Sequence, residues 1–273
     1  MYKKLDKISG WPLILFSICL LSFCTKSTEQ GINNPSSNPS PSTDTLKYSL
    51  VWSDEFDGSS IDADTWNFET GGSGWGNHEQ EYYQEANAAI ENGNLVITGK
   101  KETVGSNKYT SARMTTLGKK EFLYGRIEAR IKIPVGKGFW PAFWMMGSNI
   151  KTVDWPACGE TDIMEHINDD SLIYGTLHWD NNGHTSVGGK TASNPSDYHV
   201  YGVEWDASSI KWSIDSVVFY EASLEGNGMD EFHQPFFILL NFALGGDWPG
   251  QIIDDSLLPA KMYVDYVRVY QKK

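Results

Sequence analysis

Three carboxylates stand close together in the segment "GETDIMEHIN", residues 159–168. Glu160, Asp162 and Glu165 are separated there only by small and apolar residues and one threonine. Like charges that are crowded together raise each other's proton affinity and destabilise the fold, so the pattern favours a chemical task. Two carboxyl groups about 5–5.5 Å apart can cleave a glycosidic bond with retention, because one attacks the anomeric carbon and the other protonates the leaving oxygen.

These acids can face the same side only if the strand that carries them is irregular. Ile163 and Met164 suit a pleated strand. Regular alternation places Glu160 and Asp162 on one face and sends Glu165 to the other, because five residues is an odd separation. One extra residue in a β-bulge restores the phase, so the sequence predicts a bulge between Asp162 and Glu165.

Two alternatives remain open for the acid cluster on spacing alone. It could be a solvated acidic strand, or it could bind a hard cation through its carboxylates. Calcium loops, however, carry several Asp, Asn and Gly residues in a flexible turn, whereas this run is flanked by Ile and Met.

The overall charge limits the class of partner. The chain of 273 residues has 22 basic and 35 acidic residues, a net charge of −13. Beyond the N-terminus it shows no basic cluster, so nucleic acids and other polyanions are excluded as expected partners. The 11 Trp, 13 Tyr and 12 Phe residues suit a β-sandwich core as well as a surface that binds neutral ligands.

The chain divides into three segments by composition. Residues 1–24 have a basic start and a short apolar run, which predicts an export signal rather than a spanning helix. The run ends in "LSFC", which resembles the bacterial lipobox, so Cys24 is the expected lipidation site. Residues 25–47 are rich in Ser, Pro and Asn and predict a flexible linker. Residues 48–273 remain for one catalytic domain, without a disulfide if Cys24 is lipidated.

Short runs that alternate apolar and polar residues fill this domain, separated by Gly, Asn and Asp. They predict an all-β antiparallel sandwich. Asp215-Ser216 is predicted to form a hairpin turn. In "YGRIEARIKIP" apolar and polar residues alternate with a period of two, which predicts a strand with one buried face. The side chains predicted to share the buried face of that strand are Ile127, Ala129, Ile131 and Ile133.

Several segments together resemble one family. "CGETDIMEHI" resembles the E-x-D-x-x-E signature of glycoside hydrolase family 16, in particular its laminarinase-type endo-β-1,3-glucanases. "VWSDEFDG", "WGNHEQEYY", "YTSARM", "YGRIEARIKIPVGKGFWPAFWMMG", "PFFILLNFALGGDWPG" and "YVDYVRVY" are similar to that family's blocks, in order, over residues 50–271. The resemblance implies a β-jelly-roll sandwich (concanavalin A-like) of two antiparallel sheets with a concave substrate groove.

The resemblance also implies an activity and roles for the acids. The expected enzyme is a retaining endo-glycosidase that hydrolyses β-1,3-glucosidic bonds of laminarin-like glucans by double displacement. Glu160 is the expected nucleophile and Glu165 the general acid/base, with Asp162 assisting. Thr161 replaces the Ile or Leu usual in the signature and is expected to point into the packing.

The blocks that match the family also imply a set of sugar-binding residues. Their types suit this role, because sugar rings stack their apolar faces on indole and sugar hydroxyls need fixed hydrogen-bond donors and acceptors. Spacing by four puts the tryptophans of "FWPAFWM" on one face, so both line the groove or both are core. For the histidine of "TLHW", a purely structural role is favoured as much as a role in sugar binding. The implied residues are Asn77, Arg113, Trp140, Trp144, Trp155, His178 and Asn241.

The family also implies one structural calcium away from the groove, and no cofactor for catalysis. Asp265 would supply a carboxylate, with Glu55 and Gly93 as main-chain carbonyl donors. Without the family, Asp265 reads as a solvated or paired residue.

The expected partner is a β-glucan polysaccharide, bound by an exported monomer of the cell envelope or extracellular space. The membrane is reached only through the lipid anchor. Two rivals stay open. One is the same mechanism acting on mixed-linkage β-1,3-1,4-glucan or a galactan. The other is a non-catalytic glycan-binding protein, although such relatives usually lack one of the two glutamates.

Overall fold

The computed structural model describes residues 48–226 and 228–273. The predicted export signal (1–24), lipidation at Cys24 and the linker (25–47) lie outside the described residues. Within the described ranges, no helix has the length and apolar character needed to cross a membrane.

Strands make up nearly all the regular structure of the described residues. Three single-turn 3₁₀ helices interrupt them, at Glu85–Asn87, Asp230–His233 and Asp255–Leu257. The strands are β1 (Tyr48–Asp54), β2 (Asn67–Glu69), β3 (Glu81–Tyr83), β4 (Ala88–Glu91), β5 (Asn94–Gly99), β6 (Tyr109–Ser111), β7 (Arg113–Thr115), β8 (Glu121–Phe122), β9 (Gly125–Lys132), β10 (Phe139–Gly147), β11 (Glu160–Glu165), β12 (Leu172–Asp180), β13 (His184–Ala192), β14 (His199–Trp205), β15 (Ser209–Ile214), β16 (Val217–Ser223), β17 (Phe236–Leu244) and β18 (Ala260–Lys272).

The strands form two large antiparallel sheets, which confirms the predicted sandwich. The first sheet has the order β16-β15-β14-β9-β18-β5-β4, with β1 also paired to β18. The second has the order β13-β12-β11-β10-β17-β7-β2, with β8 also paired to β17. A small parallel pair, β3 and β6, stands apart from both.

Strand β9 of the first sheet has one buried and one partly exposed face, as its sequence period predicts. Ile127, Ala129 and Ile131 are fully buried in the core between the sheets, and Ile133 follows them just beyond the strand. Full burial of an aliphatic side chain of this size stabilises the fold by about 1.5–3 kcal/mol. The hairpin at Asp215-Ser216 is also confirmed, and both residues have a positive φ, as a two-residue turn of this kind requires.

Strands β10 and β17 of the second sheet are buried almost throughout. One face of these strands packs against the first sheet. The opposite face carries a separate small apolar cluster, beside which the candidate site lies. Its buried members are Ala142, Trp144, Met146, Cys158, Phe237 and Leu239.

Candidate active site

The strand that carries the acid cluster, β11, contains the predicted bulge. In its pairing with β12, Asp162 lies opposite Thr176 and Glu165 lies opposite Tyr174. Three steps along β11 therefore match two steps along β12, which means one extra residue on β11. The pairing of β11 with β10 shifts at the same place.

The bulge changes which face each side chain occupies. Ile163 and Met164 are consecutive residues, yet both are buried in the core between the sheets. Because two successive side chains point inward, Glu165 returns to the face that carries Glu160 and Asp162. Thr161 is also buried, as expected.

All three acids open into one cleft of about 350 Å³ on the outer face of the second sheet. Indole rings, amides and carboxyls line it, together with small apolar side chains. Its lining residues are Trp75, Gly76, Asn77, Glu79, Arg113, Trp140, Ala142, Trp144, Met146, Trp155, Glu160, Asp162, Glu165, Asn241 and Ala243.

An indole N–H holds each of the two outer carboxyls. Trp155 Nε1 donates to Glu160 Oε2 at 3.0 Å, and Trp140 Nε1 donates to Glu165 Oε1 at 2.8 Å. Each bond restricts the rotation of its carboxyl group while leaving the other oxygen free of that bond. The geometry suits groups that must meet a reacting atom in a fixed direction.

A histidine lies beside the middle carboxyl. His178 Nε2 is 3.1 Å from Asp162 Oδ2 and 3.9 Å from Glu160 Oε1. Its other nitrogen, Nδ1, is 2.8 Å from His184 Nε2, so one of these two nitrogens donates and the other accepts. One ligand atom from each of Glu160, Asp162 and His178 lies within 4.8 Å of the others, a spacing that could also hold a metal ion.

Burial raises the proton affinity of the whole cluster. It raises the pKa of Glu165 to about 8, with a further contribution from Asp162 and an opposing one from the Trp140 N–H. Burial also raises the pKa of Asp162. The pKa of Glu160 is raised by burial and then by Asp162, while His178 lowers it. Glu165 therefore holds a proton near neutral pH that it can give to a leaving oxygen.

The two tryptophans of β10 share the cleft face, as their spacing predicts. Trp140 is partly exposed, whereas Trp144 is only 9% exposed and belongs to the small apolar cluster. Arg113 covers Trp144, because its guanidinium lies 4.8 Å from that ring and 5.0 Å from the ring of Trp75. An ion pair with Glu69 holds the same guanidinium.

The remaining predicted sugar-binding residues fall into two groups. Asn77, Asn241 and Trp155 line the cleft, and Trp155 is 44% exposed. His178 contacts the acids from outside the lining set. The structure therefore brings six of the seven residues to the cleft wall and the seventh next to it.

Several residues of the site were not singled out from the sequence. Trp75 and Glu79 lie in "WGNHEQEYY", the block that gave Asn77, and both line the cleft. His184 follows His178 by six residues across the β12–β13 hairpin, and its ring lies 4.7 Å from Trp155. Trp248 packs edge-on against Trp140 with ring centroids 5.6 Å apart.

The residues expected to hold calcium converge on the first sheet. Strands β5 and β1 pair with successive parts of the same edge of β18, and Asp265 lies between those parts. Gly93 precedes β5 and Glu55 follows β1, so both chain ends meet beside Asp265. Arg130 Nη1 donates to the Asp265 carboxylate at 2.7 Å, and Arg268 pairs with the Glu55 side chain. Main-chain carbonyls with one carboxylate are donors that a hard cation accepts.

Comparison with known proteins agrees with the fold. The profile described as "Glycosyl hydrolases family 16" matches residues 76–268. The Beta-glucanase of Rhodothermus marinus is 40% identical over 244 residues, which cover 82% of this chain and 85% of that protein.

Two further relatives extend the comparison. The Clotting factor G alpha subunit of Tachypleus tridentatus is 45% identical over 232 residues, 82% of this chain but only 34% of that protein. The catalytic domain of an endo-1,3-beta-glucanase (laminarinase) from Thermotoga petrophila RKU-1 is 43% identical, with a TM-score of 0.77. That match covers 83% of this chain and 98% of the other. With its profile match, its jelly-roll sheets and its bulged acid strand, the chain belongs to glycosyl hydrolase family 16.

Proposed function

We propose that this chain is a retaining endo-β-1,3-glucanase that hydrolyses laminarin-like glucans by double displacement. The observation that carries the proposal is the bulge in β11, which turns Glu165 to the cleft face shared by Glu160 and Asp162. The printed names of the relatives, beta-glucanase and endo-1,3-beta-glucanase, support the same activity.

The reaction has two steps. In the first, a Glu160 oxygen attacks the anomeric carbon while Glu165 gives its proton to the glycosidic oxygen, so the leaving sugar departs as an alcohol. In the second, Glu165 accepts a proton from water, the water oxygen bonds to the anomeric carbon, and the bond to Glu160 breaks. Two inversions give net retention.

Asp162 assists both steps from its place between the two glutamates. It raises the pKa of Glu165 through charge, which keeps the proton available for the leaving oxygen. The nearby His178, whose Nε2 lies 3.1 Å from Asp162 Oδ2, opposes the rise in pKa that burial causes at Glu160 and Glu165. Removal of either side chain would therefore change the protonation of the glutamates.

A neutral polysaccharide fits the wall of the cleft. The partly exposed Trp140 and Trp155 offer indole faces for sugar rings, while Asn77 offers an amide for hydroxyls. The net charge of −13 disfavours a sulfated galactan. Retention of both glutamates disfavours the rival of a binding protein that does not cleave.

Export, a lipid anchor at Cys24 and a monomeric state complete the proposal. The linker at 25–47 would then serve as a tether between the envelope and the domain. A Cys24→Ser variant should lose lipid labelling and leave the membrane fraction. A structural calcium at Asp265, Glu55 and Gly93 should raise the melting temperature when calcium is added, and Asp265→Asn should lose that gain.

The activity is tested with Glu160→Gln and a panel of polysaccharides. The rate of laminarin hydrolysis by the variant should be more than about 10³-fold lower than that of the wild type. Its melting temperature and its affinity for laminarin should stay near the wild-type values. Glu85→Gln, on the exposed 3₁₀ turn, is the control that should keep full activity.

Three results would contradict the proposal. Turnover by Glu160→Gln close to the wild-type rate would refute the nucleophile. Wild-type activity confined to agar or carrageenan would refute the glucanase. Tight laminarin binding by the wild type without any product would favour the binding protein instead.

A further inference from the structure

A chain of hydrogen bonds, buried except at its Asn77 end, connects residues of the cleft wall. Trp144 Nε1 donates to Asn241 Oδ1 at 2.8 Å, and Asn241 Nδ2 donates to the Tyr83 hydroxyl at 3.1 Å. The Tyr83 hydroxyl donates to Glu79 Oε2 at 2.9 Å. The other Glu79 oxygen, Oε1, accepts from Asn77 Nδ2 at 3.1 Å. Glu79 therefore joins two residues of the cleft wall that are far apart in sequence.

The groups at the two ends of this hydrogen-bond chain determine which partner donates in each of its bonds. An indole nitrogen can only donate, and a carboxylate can only accept. Tyr83 must therefore give its proton to Glu79, and its oxygen is left to accept from Asn241. The amide of Asn241 can satisfy both neighbours in one orientation only, with its oxygen towards Trp144. The same carboxylate turns the Asn77 amide so that Nδ2 points to Glu79.

A second buried acid, Glu81, lies two residues beyond Glu79. Glu81 is fully buried, and its Oε2 accepts from the Leu244 amide at 2.6 Å while Oε1 has no hydrogen-bond partner among the described residues. Burial, and then the charge of Glu79, raise the pKa of Glu81 well above its ordinary value. Glu79 thus increases the proton affinity of Glu81, while its own two oxygens accept from Tyr83 and Asn77.

We propose that Glu79 is a positioning residue for the glucan chain. Through Asn77, Tyr83 and Asn241, Glu79 fixes the pattern of hydrogen-bond donors and acceptors in the cleft. This inference rests on the proposed function, because the sugar hydroxyls of a glucan are what such a pattern would bind. Glu79 acts through its neighbours, whereas Glu160 and Glu165 act on the reacting bond. Its loss should therefore weaken binding of the glucan and leave the bond-breaking steps intact.

Glu79→Gln tests this directly, since an amide has the same shape but can also donate. With a group that can donate at each end, the donors and acceptors of the hydrogen-bond chain are no longer fixed. The side-chain amides of Asn77 and Asn241 can then rotate and exchange their oxygen and nitrogen positions. We expect the KM for laminarin to rise about 10-fold, equivalent to one or two lost hydrogen bonds, while kcat changes less than about 3-fold. The pH at which activity falls on the alkaline side should not move, because Glu165 is untouched.

Tyr83→Phe interrupts the same chain at a second point and should also raise KM, by a smaller factor. Its matched control is Tyr82→Phe, a neighbouring and partly exposed tyrosine whose hydroxyl has no bond in the chain. Glu85→Gln is the control for the carboxylate. Both controls should keep the wild-type KM. If Glu79→Gln does not fold, Tyr83→Phe decides alone.

A binding measurement separates this inference from the activity. In the inactive Glu160→Gln background, adding Glu79→Gln should raise the Kd for a β-1,3-gluco-oligosaccharide by the same factor as the KM. A lowered melting temperature with unchanged KM and Kd would show a structural role only and overturn the inference. A fall in kcat with unchanged KM would overturn it as well. A wild-type protein that does not hydrolyse laminarin would contradict the proposed function, and the Kd comparison would still decide the role of Glu79.

Discussion

Strand β9 of the first sheet and strands β10 and β17 of the second differ in how far their outer faces are exposed. In the first sheet, β9 alternates fully buried side chains with partly exposed Arg, Glu and Lys. In the second sheet, every residue of β17 is buried, and β10 has only Trp140 partly exposed. The indole rings, amides and acids around the cleft cover β10 and β17 from outside.

The difference explains where the chemistry lies. On the partly exposed face of the first sheet, burial also raises the pKa of Glu128, but the charge of Arg126 and a hydrogen bond with Tyr270 oppose the rise. On the covered face of the second sheet, burial raises the pKa of Glu165 to about 8. A covered face thus supplies both the low dielectric and the fixed donors that acid catalysis needs.

The largest effect should come from the covered face. Glu165→Gln keeps the acceptor for Trp140 Nε1 but removes the transferable proton, so kcat/KM on laminarin should fall about 10²- to 10⁴-fold. The melting temperature should change little. Initial rates and thermal unfolding measure the two quantities, with Glu85→Gln as control. An unchanged rate per folded molecule would remove the contrast between the two sheets.

A substitution behind the partly exposed face should affect stability instead. Ile131→Ala opens a cavity in the core between the sheets and should lower the free energy of unfolding by about 2–5 kcal/mol. The activity of the folded fraction should stay unchanged. Lys132→Ala, the next residue on the partly exposed face, is the matched control and should change stability by less than about 0.5 kcal/mol. Equal losses from both variants in denaturant titrations would contradict the two-faced description of β9.

The last effect concerns the dependence of stability on pH. Between the ordinary pKa of 4.5 and the folded value of about 8, Glu165 holds a proton in the folded state that the unfolded chain has released. Its contribution to stability is therefore present below about pH 4.5 and is lost as the pH rises towards 8. Glu165→Gln does not titrate there, so its loss of stability with pH should be shallower, by at most about 1.4 kcal/mol per pH unit. Parallel curves of melting temperature against pH would contradict the raised pKa.

Much of the fold could be predicted from local patterns. The period of two in β9 gave its buried face, and the odd spacing of Glu160 and Glu165 gave the bulge. Both follow from the fact that side chains alternate along a strand. The continuous apolar run of β17 has no such period, so its two faces could not be told apart from sequence.

The cleft wall depended on family resemblance, and part of it was missed. Trp75 and His78 have a positive φ and lie in an irregular loop, where no period tells which side chains point inward. Glu79 was not singled out from the sequence, because a buried carboxylate is recognised only through its partners Tyr83 and Asn77. Both partners lie within four residues of Glu79, but the irregular loop that carries Asn77 and Glu79 has no period from which the directions of its side chains could be predicted.

The central place of β11 within its sheet has a consequence for motion. With β10 on one side and β12 on the other, its main chain is bonded along both edges. Amide protons of such a strand exchange with solvent deuterium only when much of the sheet opens. The proton donor and the attacking oxygen therefore start each turnover on a nearly rigid frame, and little reorganisation is needed as positive charge develops on the sugar ring.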